Sequence, residues 1–172
     1  EKKSGFDDVI IANGAGLEKY LTGLKISKGQ LVGLKGKQEI DLGLPVNSAG
    51  YILPKVEEIT WIGSTHEREF KNNDVCYEAG HELIARTEKN FNIDLAGSED
   101  MLMEARIRIG SKDRLPLAGK IEENIYVIGA LGSRGFSLGP ILGDYIASLI
   151  NNSPSPISSG IALAIAPLRF KD

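Results

Sequence analysis

Apolar residues along this chain come in short β-branched runs parted by glycines, with two longer stretches at helical spacing. Val9-Ile10-Ile11-Ala12 reads as a buried strand that runs at once into Asn13-Gly14-Ala15-Gly16. The segment LKISKGQLVGLKG alternates Leu24 and Ile26 with polar neighbours and continues through Leu31 and Leu34, which predicts a half-exposed strand broken at Gly29. A hairpin-like pair follows, Gly50–Leu53 and Ile59–Ile62, with Pro54 and the acidic Glu57-Glu58 between its arms. From Asn73 to about Phe91 the period becomes helical. Val75, Ala79, Leu83, Ile84 and Phe91 share one side, Glu78, Glu82, Arg86 and Lys89 the other, and Asn73 or Asp74 is a suitable cap. Strand-like alternation returns over Met101–Ile109, where Ala105, Ile107 and Ile109 oppose Glu104, Arg106 and Arg108.

The most pointed pattern is NIYVIGALGSRGFSLGPILGDYIASLI, residues 124–150. Ile125–Ile128 suits a buried strand, Gly129, Gly132, Gly135 and Gly139 punctuate a loop, and Ile141, Leu142, Tyr145, Ile146, Leu149 and Ile150 predict a helix with Pro140 near its first turn. A strand feeding a helix through glycines leaves backbone N–H groups open to a phosphate or a flat, polar-edged cofactor. Tight strand-to-helix packing explains the same glycines equally well. The spacing is G-x-x-G-x-x-G, not the dinucleotide fingerprint, and this loop has no lysine followed by Ser/Thr as in a P-loop. A proline- and serine-rich linker, NNSPSPISSG, and a tail, IALAIAPLRFKD, close the chain.

Composition narrows the classes. With 172 residues, 42% hydrophobic and 25% charged, the chain suits one compact domain or two small lobes. No apolar stretch approaches the roughly 20 residues needed to span a bilayer, and the start EKKSGFDD lacks a signal-peptide core, so the expectation is a cytoplasmic protein without a membrane partner. A single cysteine, Cys76, excludes an internal disulfide, and two histidines give no cluster at metal-ligand spacing. Cys76 reads as a small hydrophobe on a helix. The net charge of −3 argues against nucleic-acid binding over the whole surface. A local basic patch of Lys25, Lys28, Lys35 and Lys37, with Arg169 and Lys171, reads either as solvated strand edges or as a phosphate contact. Arg106 and Arg108 are open to two readings as well, internal ion pairs or a guanidinium fork for a substrate carboxylate.

Taken in order, DDVIIANGAG (7–16), SKGQL (27–31), GYILP (50–54), WIGSTHE (61–67), RIGSKDRLPLAG (108–119), ALGSRGF (130–136) and ALAIAPLRF (162–170) resemble the C-terminal half of flavin-dependent amine oxidases of the D-amino-acid oxidase and glycine oxidase superfamily. The likeness is strongest to the FAD-dependent oxidoreductase domain of the bifunctional tRNA 5-methylaminomethyl-2-thiouridine biosynthesis (MnmC-like) proteins. It implies a mixed α/β fold, part of an FAD-binding three-layer lobe joined to an antiparallel-sheet substrate lobe. Residues 1–22 and 110–172 would belong to the FAD-binding lobe and 23–109 to the substrate lobe.

The resemblance also implies FAD as cofactor and tRNA as partner. Ala12, Asn13, Gly14, Gly129, Ala130, Gly132, Ser133, Arg134, Gly135 and Phe136 would contact the cofactor. Arg108, which precedes the D-x-L-P segment, would clamp a substrate carboxylate, and Tyr51, Thr65 and His66 would line the substrate pocket. His66 stands at or near a place where the family often carries an aromatic. The family's G-x-G-x-x-G pyrophosphate loop and the methyltransferase half that usually precedes this domain are not found in these residues, so a fragment of a larger enzyme is expected. The implied reaction is oxidation of 5-carboxymethylaminomethyl-(2-thio)uridine at the tRNA wobble position to the aminomethyl form with release of glyoxylate. Oxidation of a free small amino acid, and a non-catalytic module, are the alternatives.

Overall fold

The computed structural model describes residues 5–36, 42–48, 50–95 and 100–171. The chain divides into two compact units. One comprises Glu1–Ile26 with Arg108–Asp172, the other Ser27–Ile107.

In the first unit, strand β8 (Ile125–Gly129) lies between β1 (Val9–Ile11), parallel to it, and β7 (Leu117–Glu122), antiparallel. Neighbours on these strands face opposite ways, and each face has its own core. Ala118 and Tyr126 pack with Leu142, Tyr145 and Ile146 of helix α2 (Gly135–Asn151) and with Ile165. Leu117 and Val127 meet Leu17 and Leu21, on and just after a 3-10 helix over Gly14–Lys19. Burying Leu17 and Val127 completely stabilises the fold by about 1.5–3 kcal/mol each. α2 begins at Gly135, five residues before Pro140, which therefore sits inside the helix and not at its first turn. Pro140 is exposed, so water can replace the main-chain donor it lacks. Asn152, at φ 50°, closes α2 by donating its N–H to Ser148 O.

The tail after the proline- and serine-rich linker starts as a helix. Helix α3 (Ser159–Ala164) is capped by Ser158, whose hydroxyl accepts from Ile161 N. Beyond it, Ile165 O accepts from Ala118 N, and Leu168 and Phe170 join the core around Leu17.

The second unit is built on an antiparallel arrangement in the order β3 (Val46–Asn47), β4 (Tyr51–Ile52), β5 (Ile59–Gly63), β2 (Leu24–Lys35), β6 (Met101–Ser111). The expected hairpin is present as β4 and β5, paired Tyr51 to Gly63 and Ile52 to Ile62. β2 does not break at Gly29. It runs for 12 residues between β5 and β6, and Lys28–Gln30 and Val32–Leu34 are all buried, so its middle is not half-exposed. Val32, Leu34, Ile52 and Ile62 pack with Leu83 of helix α1 (Tyr77–Phe91) and with Leu95.

The start of α1 also departs from expectation. Cys76 is the N-cap, in place of Asn73 or Asp74, because residues 74–76 are tied to β2 by tertiary hydrogen bonds. The fully buried Gln30 donates from Nε2 to Cys76 O (2.8 Å) and accepts at Oε1 from Cys76 N (2.7 Å). Cys76 is thus a half-buried helix-start residue whose thiol donates to Glu78. Glu78 is held below the ordinary carboxylate range by its own main-chain N–H and then by that thiol.

Candidate functional site

The parallel pairing of β1 with β8 decides what lies at one end of the first unit's sheet. Ile11 is opposite Val127, so both strands release their chains at the same edge, β1 into Ala12-Asn13-Gly14 and β8 into Gly129-Ala130. Segments more than a hundred positions apart in sequence are thereby neighbours, at the carboxyl ends of parallel strands where open α/β sheets bind ligands. Ala12, Asn13 and Gly14 are exposed.

Local backbone shape explains the glycines. A Cβ on Gly129 would sit 2.2 Å from Leu17 Cδ1, so this glycine serves close packing of β8 against the 3-10 helix. Ala130 and Gly132 adopt φ of 53° and 60°, which turn the chain sharply between strand and helix. Residues 132–134 form one 3-10 turn and α2 follows directly. α2 spans 17 residues, has no side-chain cap and carries no acid in its first turn. The 3-10 turn uses the Arg134 N–H, which donates to Leu131 O (3.2 Å), while the positive dipole end of α2 meets no acidic side chain in its first turn. Ser133, Arg134 and Phe136 are exposed, Phe136 completely. A Cβ at Gly132, Gly135 or Gly139 would meet open space.

These features fit the ring end of a flavin: a flat, polar-edged group that becomes anionic on reduction can approach uncapped amides with no side chain or carboxylate in the way. The 172 residues contain no G-x-G-x-x-G for the pyrophosphate end.

A turn beside this loop is braced from the tail. Arg169 forks onto Asp113, Nε to Oδ2 at 2.8 Å and a terminal nitrogen to Oδ1 at 2.9 Å, and also donates to Leu115 O (3.1 Å) and Ala166 O (3.0 Å). Its guanidinium lies 4.5 Å from the Phe170 ring centre. The Arg169 fork holds the Asp113 carboxyl well below the usual carboxylate range. Between Asp113 and Leu115, Arg114 takes φ 66°, and its carbonyl accepts a 2.7 Å hydrogen bond from the Arg134 guanidinium. Arg169 is thus an internal ligand, with a side chain only 12% exposed, and not the solvent-facing phosphate contact considered from the sequence.

On β6 the alternation holds: Ala105 is buried while Glu104, Arg106 and Arg108 are exposed. Arg106 pairs with Glu104 at 3.2 Å, both well exposed, which makes it a surface ion pair. Arg108 lies in the first unit, on the same strand face as Arg106.

In the second unit, Tyr51 lies across the Gly63 backbone, where a Cβ would fall 2.5 Å from its ring. Thr65 is buried, its hydroxyl accepting from Gln30 N and donating to Glu67 (both 2.9 Å), so the hydroxyl is committed internally. His66 next to it is exposed. Lys28, one of the four clustered lysines, is 4% exposed, 3.1 Å from Glu67 and donating to Asp74 O. Lys25 and Lys35 are exposed and Lys37 lies outside the described residues.

Gln30, the Lys28–Glu67 pair and the Arg169–Asp113 fork were not singled out as a framework by sequence reasoning. The available signal was Lys28 and Gln30 in step with the apolar Val32 and Leu34, polar side chains on a core-facing row. Among the described residues no group of His, Cys, Asp and Glu could hold a metal ion, and no helix is long and apolar enough to cross a membrane.

Comparison with known proteins agrees with this architecture. Residues 1–149 match the family model described as FAD dependent oxidoreductase. The tRNA 5-methylaminomethyl-2-thiouridine biosynthesis bifunctional protein MnmC of Maricaulis maris (strain MCS10) is 30% identical over 167 residues, covering 95% of this chain and 27% of that protein. Glycine oxidase from Geobacillus kaustophilus superposes with a TM-score of 0.77 at 22% identity, over 96% of this chain and 46% of the other. Iminodiacetate oxidase from Chelativorans sp. BNC1 gives 0.67 at 21%, over 94% and 46%. The chain thus spans under a third of the length of the curated relative and under half of the solved ones. A parallel strand pair that opens into an uncapped, acid-free helix start, on a chain matched over 149 residues, belongs to the FAD-dependent oxidoreductase family.

Proposed function

We propose that this chain forms part of an enzyme that oxidises the C–N bond of 5-carboxymethylaminomethyl-(2-thio)uridine at the tRNA wobble position, in the cytoplasm where tRNA resides. The observation that carries this reading is the uncapped loop Ala130–Phe136 on a chain matched over 95% of its length by a tRNA-modifying protein. The substrate group, R–NH–CH2–COO⁻, is an N-substituted glycine. Iminodiacetate is one too, and an oxidase named for it shares this fold.

Bound FAD would supply the two-electron acceptor for the hydride on the carbon between nitrogen and carboxylate. The amine proton leaves to solvent, and water adds to the resulting C=N bond to give R–NH2 and glyoxylate. Main-chain N–H groups around Gly132–Gly135, apart from that of Arg134, would hold the ring edge. Arg108 grips the carboxylate by two parallel hydrogen bonds and so fixes which C–H is presented.

The test uses the whole protein that carries these residues, supplied with tRNA bearing the carboxymethylaminomethyl group. Glyoxylate release, together with the matching mass loss on the nucleoside, is expected. In the same protein Arg108→Lys keeps the charge and loses the fork, and should lower turnover roughly tenfold or more, because charge-assisted hydrogen bonds are worth about 1.5–3 kcal/mol. Oxidation of free glycine with the modified tRNA untouched would replace this reading by that of a small-amino-acid oxidase.

A further inference from the structure

We infer that Arg169, in the C-terminal tail, is a positioning residue that sets the shape of the loop Gly132–Phe136 through the turn Asp113–Leu115. The path is continuous. Arg169 grips the turn at the Asp113 carboxylate and the Leu115 carbonyl, and between those two points the Arg114 carbonyl is presented to Arg134 at 2.7 Å. Arg114 holds a left-handed backbone at φ 66°, a conformation a non-glycine residue keeps only when its neighbours are fixed. Arg134 is the last residue before α2, so its anchorage sets where the helix start lies. The anchoring arginine is also firmly seated, with Thr22 donating to Phe170 O next to it and Phe170 filling the space above Gly23.

An arginine is required at the tail position. Two acceptors on Asp113, the Leu115 carbonyl and the Ala166 carbonyl are served at once by one planar guanidinium, which a lysine ammonium cannot match. The inference deepens the assignment of Gly132–Phe136 as a flavin contact and rests on it for its functional meaning. The coupling itself needs no flavin, so the two can fail separately.

Hydrogen exchange followed by mass spectrometry on the 172-residue chain tests it. Arg169→Lys should speed exchange of the amides at 113–115 and, about fivefold, those at 132–136, the effect of one net hydrogen bond. In an Arg134→Gln background the same tail substitution should add nothing further at 132–136, whereas general loosening would add its full effect. Wild-type exchange at 132–136 in Arg169→Lys, or an undiminished increase in the double variant, overturns the inference. Arg134→Gln is a surface change that keeps the core, and coupling is reciprocal, so it should speed exchange at 113–115. If Arg169→Lys unfolds the chain, that reciprocal measurement decides, and unchanged rates at 113–115 refute the coupling.

Discussion

Two residues of the first unit are fixed by different physics. Gly129 is required for space alone, since a methyl group would press on Leu17, itself fully buried. Gly129→Ala should cost about 1–3 kcal/mol in urea denaturation, as overpacking does, and the loss should be smaller in a Leu17→Ala background where the space is open. A loss of equal size in both backgrounds would place the cause in the backbone and not in that contact. Asp113 is required for charge. Its carboxyl is ionised more readily in the folded protein than at the ordinary 3.8, because Arg169 favours the anion. A depressed folded value means that the pair's contribution is complete above pH 3.8 and is lost as the pH falls through the lower folded value. Asp113→Asn should therefore be less stable than wild type at pH 7 and approach it as the medium becomes strongly acidic. A stability gap that stays constant down through acid pH would contradict the ion pair's role.

At the scale of elements, the sequence pattern locates strands and helices better than their ends. The run 125–128, the arms of the hairpin and the alternation of β6 were all readable, since each is decided by side chains packing on the face of a sheet. The ends were decided by contacts from far away. α1 starts at Tyr77 because Gln30, 46 positions earlier, grips the Cys76 backbone, and nothing local to Asn73 or Asp74 reveals that. β2 passes through Gly29 unbroken because strands flank it on both sides. α2 continues upstream of Pro140 because Pro140 faces water. For the site, the glycine loop was legible and its partner segment at Ala12–Gly14 was linked to it only by resemblance, until parallel pairing supplied the physical reason. The bracing fork joins residues 56 apart and left no local signature. Pro140 offers a check on the helix argument. Pro140→Ala restores a donor for the Phe136 carbonyl and should stabilise the chain by about 1–3 kcal/mol, the upper end being the full helix-interior penalty of proline. No gain in melting temperature would mean that α2 is not continuous through that point.

For the molecule as a whole, the distribution of charge and of flavin-holding groups sets what these residues can do by themselves. The lysine segment separates into two kinds of residue. Lys28 is spent on Glu67 and the Asp74 carbonyl, while Lys25 and Lys35 face solvent. Of these three, only the latter two can reach a phosphate. If the whole protein binds tRNA as proposed, replacing Lys25 and Lys35 with glutamine should weaken that binding and flatten its salt dependence by about two counterions' worth of slope, one for each phosphate that a lysine no longer neutralises. Lys28→Met should instead lower stability, because it leaves Glu67 partly buried without its cation. A salt slope untouched by the double replacement would return both lysines to the role of solvated strand edges.

Cofactor retention follows the same reasoning. Under the proposed reading, the loop Gly129–Phe136 and the start of α2 would meet only the ring end of FAD, yet the pyrophosphate carries most of the cofactor's charge, and these 172 residues hold no G-x-G-x-x-G to receive it. A ring held at one end by a few main-chain hydrogen bonds, each worth about 0.5–1.5 kcal/mol net, binds too weakly to survive purification. The purified 172-residue chain should therefore be colourless, and titration with FAD should give no stoichiometric shift of the flavin absorbance band. A yellow preparation with one flavin per chain would show that the ring end alone carries enough binding energy, and the division of labour between the two ends of the cofactor would have to be redrawn.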